Sequence, residues 1–294
     1  KPVRVLISNG AGSAPDVVAR LVTERLSRIF NQQFIVDNRP GGEQTIAAIT
    51  AAKSPADGYT LYFATNDTMV ANYFRLKNVP YDADKDFASI ANVVGSAAFV
   101  VVANGDVPVR TFPELAAMAR AQPGKITMGV TVGLSDIIAQ WLSHQAKIDM
   151  LRVPFKLNTQ ANQAAAAGEV NAIVTSYQSI VPLVKSGRLR VIAVTGSERY
   201  PLLPDIPRLA EAYPGVIVEG WFFFVAPAGT PSDIVQRLNR EIDSVVADNE
   251  VAERIRGFHF SPGPSMTPKA IDDRIRDERS RWKRIVADIG LQAQ

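Results

Sequence analysis

Uninterrupted apolar runs alternate along this chain with segments whose apolar positions recur at three- and four-residue steps. That alternation predicts strands and helices in turn, and so an α/β protein with a parallel sheet. Residues 3–7 read as a buried strand. The chain then turns through Ser8, Asn9, Gly10, Ala11, Gly12 and Ser13. It enters a helix whose apolar face is Val17, Val18, Leu21, Val22, Leu26 and Ile29. Ser13 is placed as the helix N-cap, with Pro15 and Asp16 in the first turn. A second strand is expected over 34–37, an alanine-rich helix over 44–52 and a third strand over 59–64, followed by the polar loop 65–68.

The pattern then starts again. The run 99–103 reads as a strand buried on both faces. A helix over 111–121 opens with a capping box of Thr111 and Glu114. A strand over 126–130 leads through a Thr/Gly/Ser loop to a helix over 137–145 with Asp136 at its start, which repeats the opening plan. Strands are expected at 150–155, 170–174 and 191–194, then an excursion over 195–214, an apolar run at 220–226 and two long helices, 232–249 and 267–289. The runs near 99–103 and 222–226 flank a complete α/β unit. This predicts two lobes: residues 1–102 with 226–294, and residues 103–225, joined by crossovers near 99–105 and 220–227. A ligand is expected between them, where pockets are common.

Composition narrows the chemistry. The chain has 294 residues, 47% hydrophobic and 21% charged, with a formal net charge of +3. Its basic residues are interleaved with acidic ones, as in 272–279, so no nucleic-acid stripe stands out. With no cysteine, disulfides, thiol nucleophiles and zinc–thiolate sites are excluded. No run approaches the ~20 apolar residues of a membrane span. No signal peptide is present in this numbering, and a strand two residues after Lys1 suits a mature or trimmed start. Only His144, on a helix, and His259, in an alternating strand, are present, neither near metal partners in sequence. No Gly-x-Ser-x-Gly elbow or His-Glu-x-x-His occurs. The reading is therefore not an enzyme, with neither cofactor nor metal.

The loop at 8–13 carries the chemistry. A strand, a Gly/Ser turn and a helix N-terminus leave backbone N–H groups free to hold an anion. Gly10-x-Gly12 lacks a dinucleotide fingerprint and no P-loop lysine follows, so an ordinary tight connection is the competing reading. In open parallel sheets ligands bind beyond the carboxyl ends of strands, and both 8–14 and 65–68 fall there. Asp16 contacts a ligand amine or hydroxyl, or else only complements the helix dipole. Trp221 and Phe222 stack on an aromatic ligand, or else pack in the core. Arg20 and Arg39 read as structural.

Several blocks in fixed order resemble one family nearly end to end. They are Gly12-x-x-x-Asp16-x-x-Ala19-Arg20, Asp37-Asn38-Arg39-Pro40-Gly41, Ala56-Asp57-Gly58-Tyr59-Thr60-Leu61, Val79-Pro80-Tyr81-Asp82 with Lys85-Asp86-Phe87, and Val153-Pro154-Phe155-Lys156. Later blocks are Gly168-Glu169-Val170-Asn171, Lys185-Ser186-Gly187-Arg188-Leu189-Arg190, Leu203-Pro204-Asp205-Ile206-Pro207, and Trp221-Phe222 running into Ala226-Pro227-Ala228-Gly229-Thr230-Pro231. The chain resembles the extracytoplasmic solute receptors of tripartite tricarboxylate transporters, the Bug family. The resemblance implies a type II, Venus-flytrap periplasmic binding protein with its ligand cleft between lobes. It implies a monomer that closes on a small carboxylate, aliphatic or aromatic, and delivers it to a membrane permease. A ligand sensor that signals through a membrane partner is the alternative. Carried onto this chain, the implied ligand positions are Ser8, Asn9, Gly10, Ala11, Gly12, Ser13 and Asp16, then Thr65, Asn66 and Asp67. The second lobe supplies Thr131, Gly133, Ser135, Asp136, Asn158, Thr175, Ser176 and Tyr177, with Phe155 and Trp221 leaving room for a ring. The chain departs from the family at Ser8 to Gly12, at Gly42-Glu43-Gln44, at Leu134-Ser135-Asp136-Ile137, at Asn171 and at Thr175-Ser176.

Overall fold

The structure is a computed structural model that describes residues 1–131 and 133–291. Its elements begin with β1 (Val3–Ile7), α1 (Ala14–Ile29), β2 (Phe34–Asn38), α2 (Thr45–Ala52), β3 (Thr60–Thr65), α3 (Asn72–Arg75) and β4 (Phe87–Asn104). Next come α4 (Phe112–Ala121), β5 (Thr127–Thr131), α5 (Leu134–Ala146), β6 (Leu151–Phe155), α6 (Asn158–Ala166), β7 (Ala172–Ser176), α7 (Val181–Lys185) and β8 (Leu189–Val194). The chain closes with α8 (Leu209–Ala212), β9 (Glu219–Pro227), α9 (Ser232–Ala247), α10 (Asn249–Gly257), β10 (Phe260–Pro262) and α11 (Pro268–Asp288).

Two compact units emerge. The first comprises Lys1–Ser96 and Gly220–Arg284, and the second Ala97–Glu219 and Ile285–Leu291. In the first, β2, β1 and β3 are parallel, with Ile7 opposite both Asn38 and Phe63. All six residues of β3 are buried, as a central strand covered on both faces must be. Beside it β9 runs antiparallel, pairing Phe63 with Phe224, and β4 follows, with β10 against it. The helix α1 sets Val18, Leu21, Val22 and Leu26 into this unit's core.

In the second unit β7 and β8 flank β4 antiparallel, with Val101 opposite Val174 and Ala193. β5 pairs β7 and β6 in parallel, giving the order β8-β4-β7-β5-β6. β6 is the edge. It carries Pro154, which has no N–H to donate, and Leu151 is 55% exposed, as edge strands tolerate. The cap before α4 forms, but the return bond of the expected box is shifted by one residue. The Thr111 hydroxyl accepts from the Glu114 N–H, and the Glu114 carboxylate accepts from the Arg110 N–H.

Two expectations are revised. The loop after β3 is not a simple polar turn, because residues 67–75 coil into helical turns ending in α3. His259 does not lie in a strand. It has a left-handed backbone with φ 63° between α10 and β10.

Candidate functional site

At the carboxyl ends of β1, β2 and β3 three connections leave side by side, because the register sets Ile7 beside Asn38 and Phe63. The first connection is shaped by a buried carboxylate. Asp16 is 3% exposed. It accepts from the Gly12 N–H at 2.9 Å, from Arg20 Nε at 3.0 Å and from Asn38 Nδ2 at 2.9 Å. Burial alone would raise its pKa, but donation from Arg20, Gly12 and Asn38 outweighs it and holds the carboxyl below the usual 3.8. The same Asn38 amide donates to the Asn9 carbonyl at 3.0 Å. Gly12 takes φ 78°, a left-handed conformation that glycine adopts at no steric cost. The loop is therefore clamped to α1 and β2 by one ion pair and its hydrogen bonds.

Ser8 anchors the floor. Its hydroxyl donates to the Gln44 carbonyl at 2.7 Å, so its 2.8 Å contact with Tyr62 has the phenol as donor. Burial pushes that phenol up to about 12, and it keeps its proton throughout the physiological range. Beyond the strand end, Asn66 donates to Glu278 Oε1 at 3.1 Å and accepts from the Trp221 N–H at 2.6 Å. Trp221 is fully buried, stacks on Phe223 at 4.3 Å and donates its indole N–H to Glu278 Oε2 at 2.5 Å.

Set against this saturation, four oxygens on the connections at this end of the first sheet have no partner. Asn9 Oδ1, Ser13 Oγ, Gln44 Oε1 and Thr65 Oγ1 are each buried and unpaired. Thr65 as a whole is 6% exposed. Native interiors leave few such groups, and each calls for an explanation. Among the described residues, the N–H groups of Asn9, Gly10 and Ala11 also meet no protein acceptor. Donors at the loop and α1 N-terminus can hold an anion, and unpaired oxygens beside them can orient the rest of a polar solute. No group of three or more His, Cys, Asp or Glu suited to a metal ion occurs among the described residues.

In the second unit's corresponding connection the hydroxyls are bonded internally. The Ser135 hydroxyl donates to the Thr131 carbonyl at 2.9 Å, and Thr131 Oγ1 donates to Asn158 Oδ1 at 2.7 Å. Asp136 is paired with Arg152 at 2.5 Å. Thr175 and Ser176 share Ser179 as a hydroxyl partner, at 3.2 and 3.3 Å. Tyr177 packs edge-on to Tyr200 at 6.0 Å.

The profile of the tripartite tricarboxylate transporter family receptors matches residues 18–291. The chain belongs to that family. It is 32% identical to a UPF0065 protein of Bordetella bronchiseptica over 99% of this chain and 87% of the relative. Among solved structures it is similar to Rpa4515 of R. palustris with adipate, at 27% identity and TM-score 0.90, covering 100% of this chain and 98% of that one. It is also similar to MatC of Rhodopseudomonas palustris with bound malate, at 27% identity and TM-score 0.84, covering 97% and 98%. The resemblance drawn from the sequence blocks is thereby established, as is the fold of the periplasmic solute-binding proteins. The family's members are receptors rather than enzymes. No helix among the described residues is long and apolar enough to cross a membrane.

The positions expected to bind a ligand sort in this receptor by what their atoms already do. Asn9, Gly10, Ala11, Ser13 and Thr65 keep unused polar groups. Gly12 supplies the turn. The side chains of Ser8, Asp16, Asn66, Ser135 and Thr175 are buried and spent on internal bonds. Trp221 presents no surface at all, so its role is core packing and not ring stacking. Ser13 stands at the cap position of α1, but its hydroxyl caps nothing. Asp67 and Phe155 are partly buried, Gly133 is buried with φ 129° as it enters α5, and Asn158 opens α6 in the open. Sequence reasoning missed Gln44. Its signal is present in the sequence, since Gly42-Glu43-Gln44 is one of the points where the chain departs from the family.

Proposed function

We propose that this receptor captures a small carboxylate in the periplasm and delivers it to the membrane permease of a tripartite transporter. The supporting observation is the set of unpaired polar groups, donors and acceptors together, on the connections after β1, β2 and β3. A carboxylate takes the N–H groups of 9–11 and the N-terminus of α1, and the remainder of the solute meets Ser13, Gln44 and Thr65. The adipate and malate held by the two similar proteins accord with this chemistry. On the connections after β5, β6 and β7, Thr131, Asn158 and Tyr177 are the second unit's candidates for ligand contact. Contacts made only in the closed form shift the population toward closure, and the permease reads that form. The chain works as a monomer.

The test is a thermal-shift screen of refolded protein against aliphatic and aromatic carboxylates, amino acids and amides, followed by calorimetry. A ligand at 100 times its Kd adds about 2.7 kcal/mol of stability, a readily measured rise in Tm. If no carboxylate raises Tm while other solutes do, the reading fails. A scattering profile unchanged by a saturating ligand removes the closure step alone.

A further inference from the structure

We infer that Gln44 sets the specificity of this receptor, favouring a carboxylate that also carries an N–H donor over a plain dicarboxylate. The inference rests on the carboxylate reading above. Its first support is the backbone. Gly41, Gly42, Glu43 and Gln44 take φ of 111°, 54°, 54° and 67° in succession. Two of these four bear long side chains in a region that sterically favours glycine. Such conformations persist where the surroundings over-determine them, and they cluster at ligand-handling sites. The surroundings do so here. Ser8 donates to the Gln44 carbonyl at 2.7 Å, Asn72 donates to the Glu43 carbonyl at 3.2 Å, and Arg75 pairs with the Glu43 carboxylate at 2.5 Å. The segment is gripped on both sides, and the grip fixes where the Gln44 side chain starts.

The second support is the chemistry left over. Gln44 Oε1 is buried without a donor, and so is Asn9 Oδ1 on the neighbouring connection. An amide oxygen only accepts. A ligand carboxylate brings no proton to it, whereas an amide or ammonium N–H does. The cations that could draw a second carboxylate to this end of the sheet are already engaged. Arg20 is held by Asp16 and Asn38, Arg4 and Arg39 by Asp37, and Arg75 by Glu43. One anionic end is thus matched by backbone N–H groups, and beside it the Gln44 and Asn9 amide oxygens ask for a donor, while the Ser13 and Thr65 hydroxyls donate or accept.

The experiment is calorimetry on refolded receptor with matched pairs, adipate against adipamate and succinate against succinamate. In the pair whose length fits, the half-amide binds about tenfold tighter, the scale of one satisfied buried acceptor. Gln44→Gly suits the left-handed backbone and removes the amide. It binds both members of the pair equally, and a single cooperative melt verifies its fold. Equal or tighter binding of the diacid by the native chain overturns the inference and leaves the carboxylate reading standing. So does a half-amide preference that survives Gln44→Gly. If neither diacid nor half-amide nor any other carboxylate binds, the reading and the inference fall together.

Discussion

The two strand-to-helix connections built on the same plan, 8–13 before α1 and the one that enters α5 through Gly133, differ in what their side chains leave undone. Each has a serine bonded inward, a glycine at positive φ and an aspartate in the helix's first turn. In the first, the aspartate is buried and organises the loop, while Asn9, Ser13, Gln44 and Thr65 stay unsatisfied around it. In the second, the aspartate sits in a half-exposed ion pair with Arg152, and the hydroxyls of Thr131, Ser135, Thr175 and Ser176 are bonded to one another and to their neighbours. Sequence likeness between the two loops therefore hides a division of labour. A polar loop becomes a binding loop only where folding leaves its groups without partners.

The largest contrast is expected at the two aspartates. Asp16→Ala leaves the Asn38 amide and the Gly12 N–H without their acceptor and releases the half-exposed Arg20, and removes about 2 kcal/mol measured by urea unfolding. Asp136→Ala breaks a partly exposed pair and costs about 0.5 kcal/mol. Comparable losses at both sites would dissolve the distinction. Threonine-to-valine changes sharpen it by sign. Thr65→Val deletes a buried hydroxyl with no partner and raises the stability of the empty protein by about 1 kcal/mol, while weakening ligand binding in calorimetry. Thr175→Val deletes a bonded one and lowers stability by about the same amount. Gln44→Gly relieves a left-handed backbone and adds about 0.5–1 kcal/mol in the same unfolding assay.

The smallest effect is a tilt with pH between two carboxylates of the first unit. Asp16 has a depressed pKa, so its contribution is complete above 3.8 and is lost as pH falls through the folded value. Glu278 has a raised one, caused first by burial and opposed by the Trp221 indole and by Arg274. Its contribution is complete below 4.5 and is lost as pH rises through the folded value. Urea midpoints from pH 3 to 7 should therefore lose their upper-range decline in Glu278→Gln, while the acid-side fall remains. A Glu278→Gln profile parallel to the native one throughout would show that Glu278 does not titrate differently on folding.

Much of this was readable from the pattern. The buried run of β1 and the Thr111 hydroxyl cap are local signals, and they hold, as does the apolar stripe of α1 up to Leu26, while Ile29 at its end is exposed. Strand direction is not local, and nothing in the residues 220–227 shows that β9 runs antiparallel beside β3. The fate of Trp221 was equally hidden, because the carboxylate that takes its indole N–H comes from Glu278, 57 residues along the chain. The same holds for the site. Residue types marked the loops after β1 and β3, but bonded and unbonded hydroxyls look alike in a sequence. Ser8 and Thr65 part company only when Gln44 and Tyr62 arrive beside one of them. Gln44 escaped notice because its importance lies in a backbone angle.

The edge of the second sheet carries a different lesson. β6 ends the strand order and exposes Leu151, yet Pro154 interrupts its row of donors. An open edge with apolar side chains is a template for another chain. Pro154 caps that template against strand-by-strand growth, so the sheet resists aggregating with its neighbours at high protein density.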